Sequence, residues 1–80
     1  MKDYVATFHT HLSALLTYRS LQEKGIEARM MPVFRKLSSS CGTCVVYRST
    51  DICLSCMDED VERVYQIIGE DSYSLLYENE

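Results

Sequence analysis

The sequence predicts an α+β fold of order β-α-β-β-α-β, with an antiparallel sheet carrying two helices on one face. Three observations point there. Residues 12–24 repeat apolar side chains at helical spacing and stop at Gly25. Residues 61–68 place Val61, Val64, Tyr65 and Ile68 at i, i+3, i+4 and i+7, and stop at Gly69. Between and around them lie short β-branched and aromatic runs bounded by turn residues.

In chain order, Tyr4-Val5-Ala6-Thr7-Phe8 fits a first strand. His9-Thr10-His11 is a polar break, and Thr10 is the expected N-cap, its hydroxyl accepting an orphan backbone N–H. Ala14, Leu15, Tyr18 and Leu21 then define a helix over residues 12–24 with no Pro or Gly inside. Gly25 supplies the left-handed stop, and Ile26 can pack back on Leu21 as the Schellman motif requires. Residues 26–33 form the second strand, with Pro32 near an edge or an end because it cannot donate to a ladder. Residues 34–42 read as a long polar loop, and residues 44–48, centred on Val45-Val46-Tyr47, as the third strand. Ser49-Thr50-Asp51 is turn chemistry, and residues 52–57 fit either a short extended piece or the approach to a helix. The second helix is expected from Asp58, with Asp58, Glu59 and Asp60 at the positive end of its dipole. Residues 72–77 close the fold as a strand with Tyr73, Leu75 and Tyr77 on one face. That order in a short chain is the ferredoxin-like plan.

With 80 residues, the chain is expected to be a single domain over residues 1–80. A domain so small buries a modest share of its surface and gains from a metal, disulfides or a partner chain. Its apolar content of 46% and charged content of 25% are those of a globular protein rather than a disordered one. The net charge of −4 argues against nucleic-acid binding, which rests on Lys and Arg neutralising phosphates. No run reaches the length of a membrane span, and the start shows no signal peptide, so the cytoplasm is the expected compartment. Thiols are kept reduced there, so paired cysteines read as metal-binding or reactive before they read as structural disulfides.

All four cysteines fall in one stretch as two C-x2-C pairs, Cys41/Cys44 and Cys53/Cys56. Together they supply four thiolates for a tetrahedral Zn²⁺ site or an iron–sulfur cluster. A straight strand over residues 44–48 carries the two pairs apart, whereas a hairpin at Ser49-Thr50-Asp51 brings them together. Cys41-Gly42-Thr43-Cys44 also has dithiol spacing, but a strand follows it where a redox motif opens a helix. His9 and His11 are placed as solvated or capping residues, and the four methionines as core filling. Tyr73 and Tyr77 are candidates for a homodimer contact. No Ser-His-Asp spacing, phosphate loop or helical His-Glu-x-x-His is present, so a conventional hydrolase or kinase is not expected.

The run Pro32-Val33, followed by Arg35-Lys36-Leu37-Ser38-Ser39-Ser40-Cys41-Gly42, resembles the signature of a small bacterial family of Se/S carrier-like proteins. The resemblance extends over the first strand, the helix and the second strand. Its specific core is Ser-Ser-Cys-Gly. Phe34 stands where the family pattern has a second proline, and Cys53 and Cys56 lie outside the pattern. The resemblance implies that Cys41 accepts sulfur or selenium as a persulfide or selenosulfide, framed by Ser39, Ser40 and Gly42, with donor and acceptor proteins as partners and no cofactor required. The residues add an accessible turn, serine hydroxyls, Gly42 to let backbone N–H groups turn toward the sulfur, and Arg35 as a source of charge if the loop folds back. Cys44 is the candidate resolving thiol. The competing expectations are an ordinary turn cysteine, a zinc- or iron–sulfur-stabilised interaction module built on Cys41, Cys44, Cys53 and Cys56, and a small-molecule-sensing dimer with incidental cysteines. As a chalcogen carrier or as a metal-stabilised module, the protein is expected to carry or bind rather than to turn over a substrate.

Overall fold

The computed structural model describes residues 1–79. It is α+β: strands β1 (Lys2–Phe8), β2 (Glu27–Pro32), β3 (Thr43–Ser49), β4 (Val61–Gly69) and β5 (Ser72–Glu78), with one α-helix, α1 (His11–Glu23). Among the described residues one 3-10 turn is found, Leu54–Cys56. The five strands form one antiparallel sheet in the order β2-β3-β1-β4-β5. Among the described residues no helix is long and apolar enough to cross a membrane.

The first half follows the sequence closely. Thr10 caps α1, its Oγ1 accepting from Ser13 N at 3.1 Å. At the other end, Gly25 takes a left-handed φ of 76°. Gly25 N donates to Gln22 O (2.9 Å) and Ile26 N to Leu21 O (3.0 Å), the two bonds of a Schellman cap. Ile26 packs against the core that holds Leu21. Pro32 sits at the end of β2, an edge strand, where its missing N–H costs nothing.

Among the described residues there is no second helix from Asp58: residues 58–60 are a turn and Val61–Gly69 form β4, so the ferredoxin-like plan with two helices is not realised. The reason is a β-bulge. Thr7 pairs with Arg63 while Phe8 pairs with Val61, so Glu62 is the residue the register skips. The bulge puts Val61 and Val64, three apart, on one face of the sheet, and both join the core under α1. A bulged strand thus shows the i, i+3 spacing of a helix. A second register shift, with Val64 opposite Tyr77 and Tyr65 opposite Leu75, splits the set expected on one face of the last strand. Tyr77 packs against the helix-side core, whereas Tyr73 stacks on Phe34 (centroids 5.7 Å apart). Both tyrosines pack within the chain and remain partly exposed.

On the helix side the core comprises Tyr4, Ala6 and Phe8 of β1, Ala14 and Leu21 of α1, Val45 and Tyr47 of β3, and Cys56, Val61 and Val64. The segment linking β3 to β4 runs beside α1, with Asp58 N donating to Thr17 Oγ1 (2.9 Å) and Tyr47 OH donating to Ile52 O (2.6 Å). Val5, Thr7 and Cys44 alternate to the opposite face, where no helix lies, yet all three are completely buried. Their cover is the segment over residues 33–42. Phe34 lies on Tyr73, which meets Tyr65 edge-on, and Lys36 Nζ donates to Asp71 O (3.1 Å) in the β4–β5 turn. The segment expected to be a polar loop is a strap across the back of the sheet.

Ser13 Oγ is buried without a hydrogen-bond partner among the described residues. An orphaned hydroxyl costs about 1–3 kcal/mol, so Ser13→Ala is expected to raise stability by about 1 kcal/mol, with helix propensity acting in the same direction. Gly25→Ala meets no atom but must keep a positive φ, so a loss of about 1 kcal/mol is expected. Chemical denaturation of both variants checks the two signs.

Candidate functional site

Cys41 stands at the end of the strap. Gly42, at φ 73°, donates to Ser39 O (3.3 Å) and closes a turn over residues 39–42. Val33 N donates to Gly42 O (3.1 Å), so the strap leaves and rejoins the β2–β3 ladder at nearly the same point, beside the Pro32–Thr43 pair. Compact loops with joined ends hold their tips in place without secondary structure of their own.

Two serines fasten the tip. Ser39 Oγ donates to Phe8 O at 2.8 Å, tying the turn to the last residue of β1. Ser40 N and Ser40 Oγ donate to Glu62 Oε1 (2.9 Å) and Oε2 (3.0 Å). Glu62 is the bulge residue, and the bulge is what turns its carboxylate toward the strap instead of along the ladder. His9 Nδ1 lies 3.5 Å from Ser40 Oγ and 3.6 Å from Glu62 Oε2, and His11 Nδ1 lies 3.3 Å from Thr43 Oγ1. The β1–α1 turn therefore sets an imidazole on each side of the cysteine turn. Sequence reasoning gave the histidines a solvated or capping role, and both are exposed; it passed over Glu62 and the contacts the imidazoles make beside the turn. No periodicity signals a bulge residue's direction.

The Cys41 thiol is half-buried against the core, with Sγ 3.7 Å from Ser39 Oγ and 3.5 Å from Thr43 O. Ser39 has one hydroxyl hydrogen, and Phe8 O holds it at the shorter distance. The lone pairs of Ser39 Oγ and Thr43 O thus face the sulfur, an arrangement that accepts the hydrogen of a resting thiol. Rotation of the Ser39 hydroxyl turns the same oxygen into a donor to a thiolate. Ser40 Oγ, by contrast, points to Glu62 rather than to the sulfur. Arg35 lies exposed in the turn closed by Leu37 N and Phe34 O, and no contact joins it to Cys41 among the described residues. The neighbouring cation, Lys36, goes to Asp71 O.

Cys44 lies on the back face under the strap, fully buried, its thiol donating to Pro32 O (3.7 Å). Burial pushes its pKa up to about 11; the neighbouring Cys41 adds to the rise and the Phe34 backbone N–H opposes it. Cys53 and Cys56 lie beyond the far end of β3, which is seven residues long, about 20 Å of strand. The chain does not return as a hairpin after Ser49 but crosses to β4 on the helix side. Among the described residues no three His, Cys, Asp or Glu side chains converge on a point that holds a metal. The four thiols expected as one zinc or iron–sulfur ligand set are two separate pairs.

Two outcomes follow. Cys44 releases its proton more readily in the unfolded chain, at an ordinary 9.0, than in the fold, at about 11. Its contribution is therefore intact below pH 9 and is lost as pH rises from about 9 to 11, by on the order of 2 kcal/mol. Cys44→Ala is expected to flatten that part of the stability–pH curve measured by denaturation. Ser39→Ala removes the tie to Phe8 O, and a loss of about 1 kcal/mol is expected in the same measurement.

A family model described as putative Se/S carrier protein-like matches residues 3–78. Neither a curated protein nor a solved structure matches the chain. The match takes in every strand, the helix and the cysteine turn, and the chain belongs to this Se/S carrier protein-like family.

Proposed function

We propose that the protein is a chalcogen carrier in which Cys41 receives a sulfur or selenium atom from a donor and passes it to an acceptor. The observation that carries this reading is the cysteine turn itself. A single half-exposed thiol is held by Ser39 and Ser40 against β1 and the Glu62 bulge, with His9 and His11 on either side. Family membership points the same way.

In the loading step, the Cys41 thiolate attacks the outer sulfur of a donor persulfide, R–S–SH. The donor S–S bond breaks, a Cys41–S–SH persulfide forms, and R–S⁻ leaves and takes up the proton that Cys41 released. Imidazole is suited to moving that proton near neutral pH. The Ser39 hydroxyl supplies the hydrogen bond that a thiolate needs. In delivery, an acceptor nucleophile takes the outer sulfur and the Cys41 thiolate is the leaving group. Direct delivery suits this geometry better than release through a Cys41–Cys44 disulfide. Cys44 is sealed under the strap and its high pKa keeps it protonated. The net charge of −4 and the separation of the two cysteine pairs leave nucleic acid and a four-thiolate metal centre without support.

Incubation of the reduced protein with a persulfide donor is expected to add the mass of one sulfur atom, and Cys41→Ser is expected to abolish the gain while Cys44→Ala retains it. Intact-mass spectrometry reads all three proteins. An unchanged mass of the wild-type chain with a competent donor contradicts the reading.

A further inference from the structure

The second cysteine pair has its own geometry. Cys53 and Cys56 bracket the single 3-10 turn, in which side chains at i and i+3 lie over one another, and their sulfurs are 3.5 Å apart. Cys56 N donates to Cys53 O (3.0 Å), which fixes that spacing. Cys53 itself has φ 56° and ψ 47°, a left-handed conformation uncommon for a residue with a side chain. It is held there by Asp51 Oδ1, which accepts from Cys53 N at 2.9 Å. Such strain persists where the surroundings impose it, and often at working sites.

The two thiols differ in access. Cys56 is buried in the helix-side core, at 3% exposure. Cys53 lines an open cavity of about 490 Å³ with Lys24, Ile26, Ser49 and Asp51 among its walls. The cavity lies at the far end of β3 from Cys41, beside the Schellman cap of α1. We propose that Cys53 and Cys56 form a second thiol site, a reducing dithiol that opens the S–S bond of a small disulfide entering this cavity.

The reaction balances within the pair. The Cys53 thiolate attacks one sulfur of R–S–S–R, forming a Cys53–S–S–R mixed disulfide and releasing R–S⁻, which takes up the proton lost from Cys53. Cys56 then loses its proton and attacks the Cys53 sulfur. The second R–S⁻ leaves with that proton, and a Cys53–Cys56 disulfide remains. The dithiol gives two electrons and two protons; the small disulfide becomes two thiols. The direction follows from the geometry. Both thiols are free and their sulfurs already lie 3.5 Å apart, so Cys56 reaches the Cys53 sulfur with little backbone movement and the mixed disulfide resolves to the internal one. Burial, and after it the bond to Cys56, pushes the Cys53 thiol up, so the attack gains as pH rises. This site does not depend on the role of Cys41.

The test uses the reduced full chain and bis(2-hydroxyethyl) disulfide as the probe, with free thiols then blocked by N-ethylmaleimide and the peptides mapped by mass spectrometry. The expected result is loss of maleimide labelling at both Cys53 and Cys56 and a peptide lighter by two hydrogens, in wild type and in Cys41→Ser alike. Cys56→Ala is expected to trap a hydroxyethyl mixed disulfide on Cys53. Cys53→Ser, which leaves the core intact, is expected to keep Cys56 free of any adduct. Full maleimide labelling of both cysteines in the treated wild-type chain overturns the proposal, as does an adduct on Cys56 in Cys53→Ser.

Discussion

Phe34 closes the back of the sheet, and the position of the cysteine turn follows from it. The central strand β1 is buried on both faces from Tyr4 to Phe8. One face is covered by α1. The other has no helix, and a bare sheet face leaves Val5, Thr7 and Cys44 in water. The strap over residues 33–42 removes that cost by laying Phe34 on Tyr73, with Tyr65 edge-on beyond it. Aromatic pairs of this kind contribute about 0.5–1.5 kcal/mol beyond the area they bury. Once the strap crosses the sheet and must return to β3, its last residues pass the end of β1. That route delivers Ser39 to the Phe8 carbonyl and Ser40 to the Glu62 carboxylate.

The cysteine turn is therefore fixed by three elements that are remote in sequence: the end of β1, the bulge of β4 and the strap itself. Fixing the backbone leaves the half-buried sulfur as the reactive atom of the turn, with Ser39 Oγ and Thr43 O beside it. It also separates the two cysteines of the first pair. Cys41 packs against the helix-side core, while Cys44, three residues on, lies on the opposite face of the sheet, buried beside Phe34. A C-x2-C pair in a helical turn stacks its sulfurs, as Cys53 and Cys56 do; the same spacing leading into a strand splits them. The two pairs share a motif and differ in chemistry because one is followed by β3 and the other is wound into a 3-10 turn.

Local signals in the sequence were legible where the structure is local. The Thr10 cap, the Gly25–Ile26 stop, the edge position of Pro32 and the Val45-Val46-Tyr47 strand all depend on a few neighbouring residues. Cys41, Ser39 and Gly42 were legible as a turn, and Ser39 does face the sulfur. The misreadings come from long-range pairing. The stripe of Val61 and Val64 satisfies helical spacing because a bulge at Glu62 shifts the strand by one residue, and only the partner strand β1 reveals it. The β-branched density of Val61, Val64, Ile67 and Ile68 was the one signal for a strand. The strap read as polar because Phe34 is a single aromatic among Arg35, Lys36 and serines, and its partner Tyr73 is far along the chain. Arg35 was a source of charge for the sulfur only if the loop folded back, and the strap leaves it exposed.

The account makes Cys41 the only carrier atom, with Cys44 buried and kept protonated. Peptide mapping of the bound sulfur, after loading the reduced wild-type chain with a persulfide donor, tests this most directly. The account predicts the added sulfur on the peptide bearing Cys41, with Cys44 still carrying its hydrogen. Sulfur found first on Cys44, Cys53 or Cys56, or a Cys41–Cys44 disulfide as the earliest product, contradicts it.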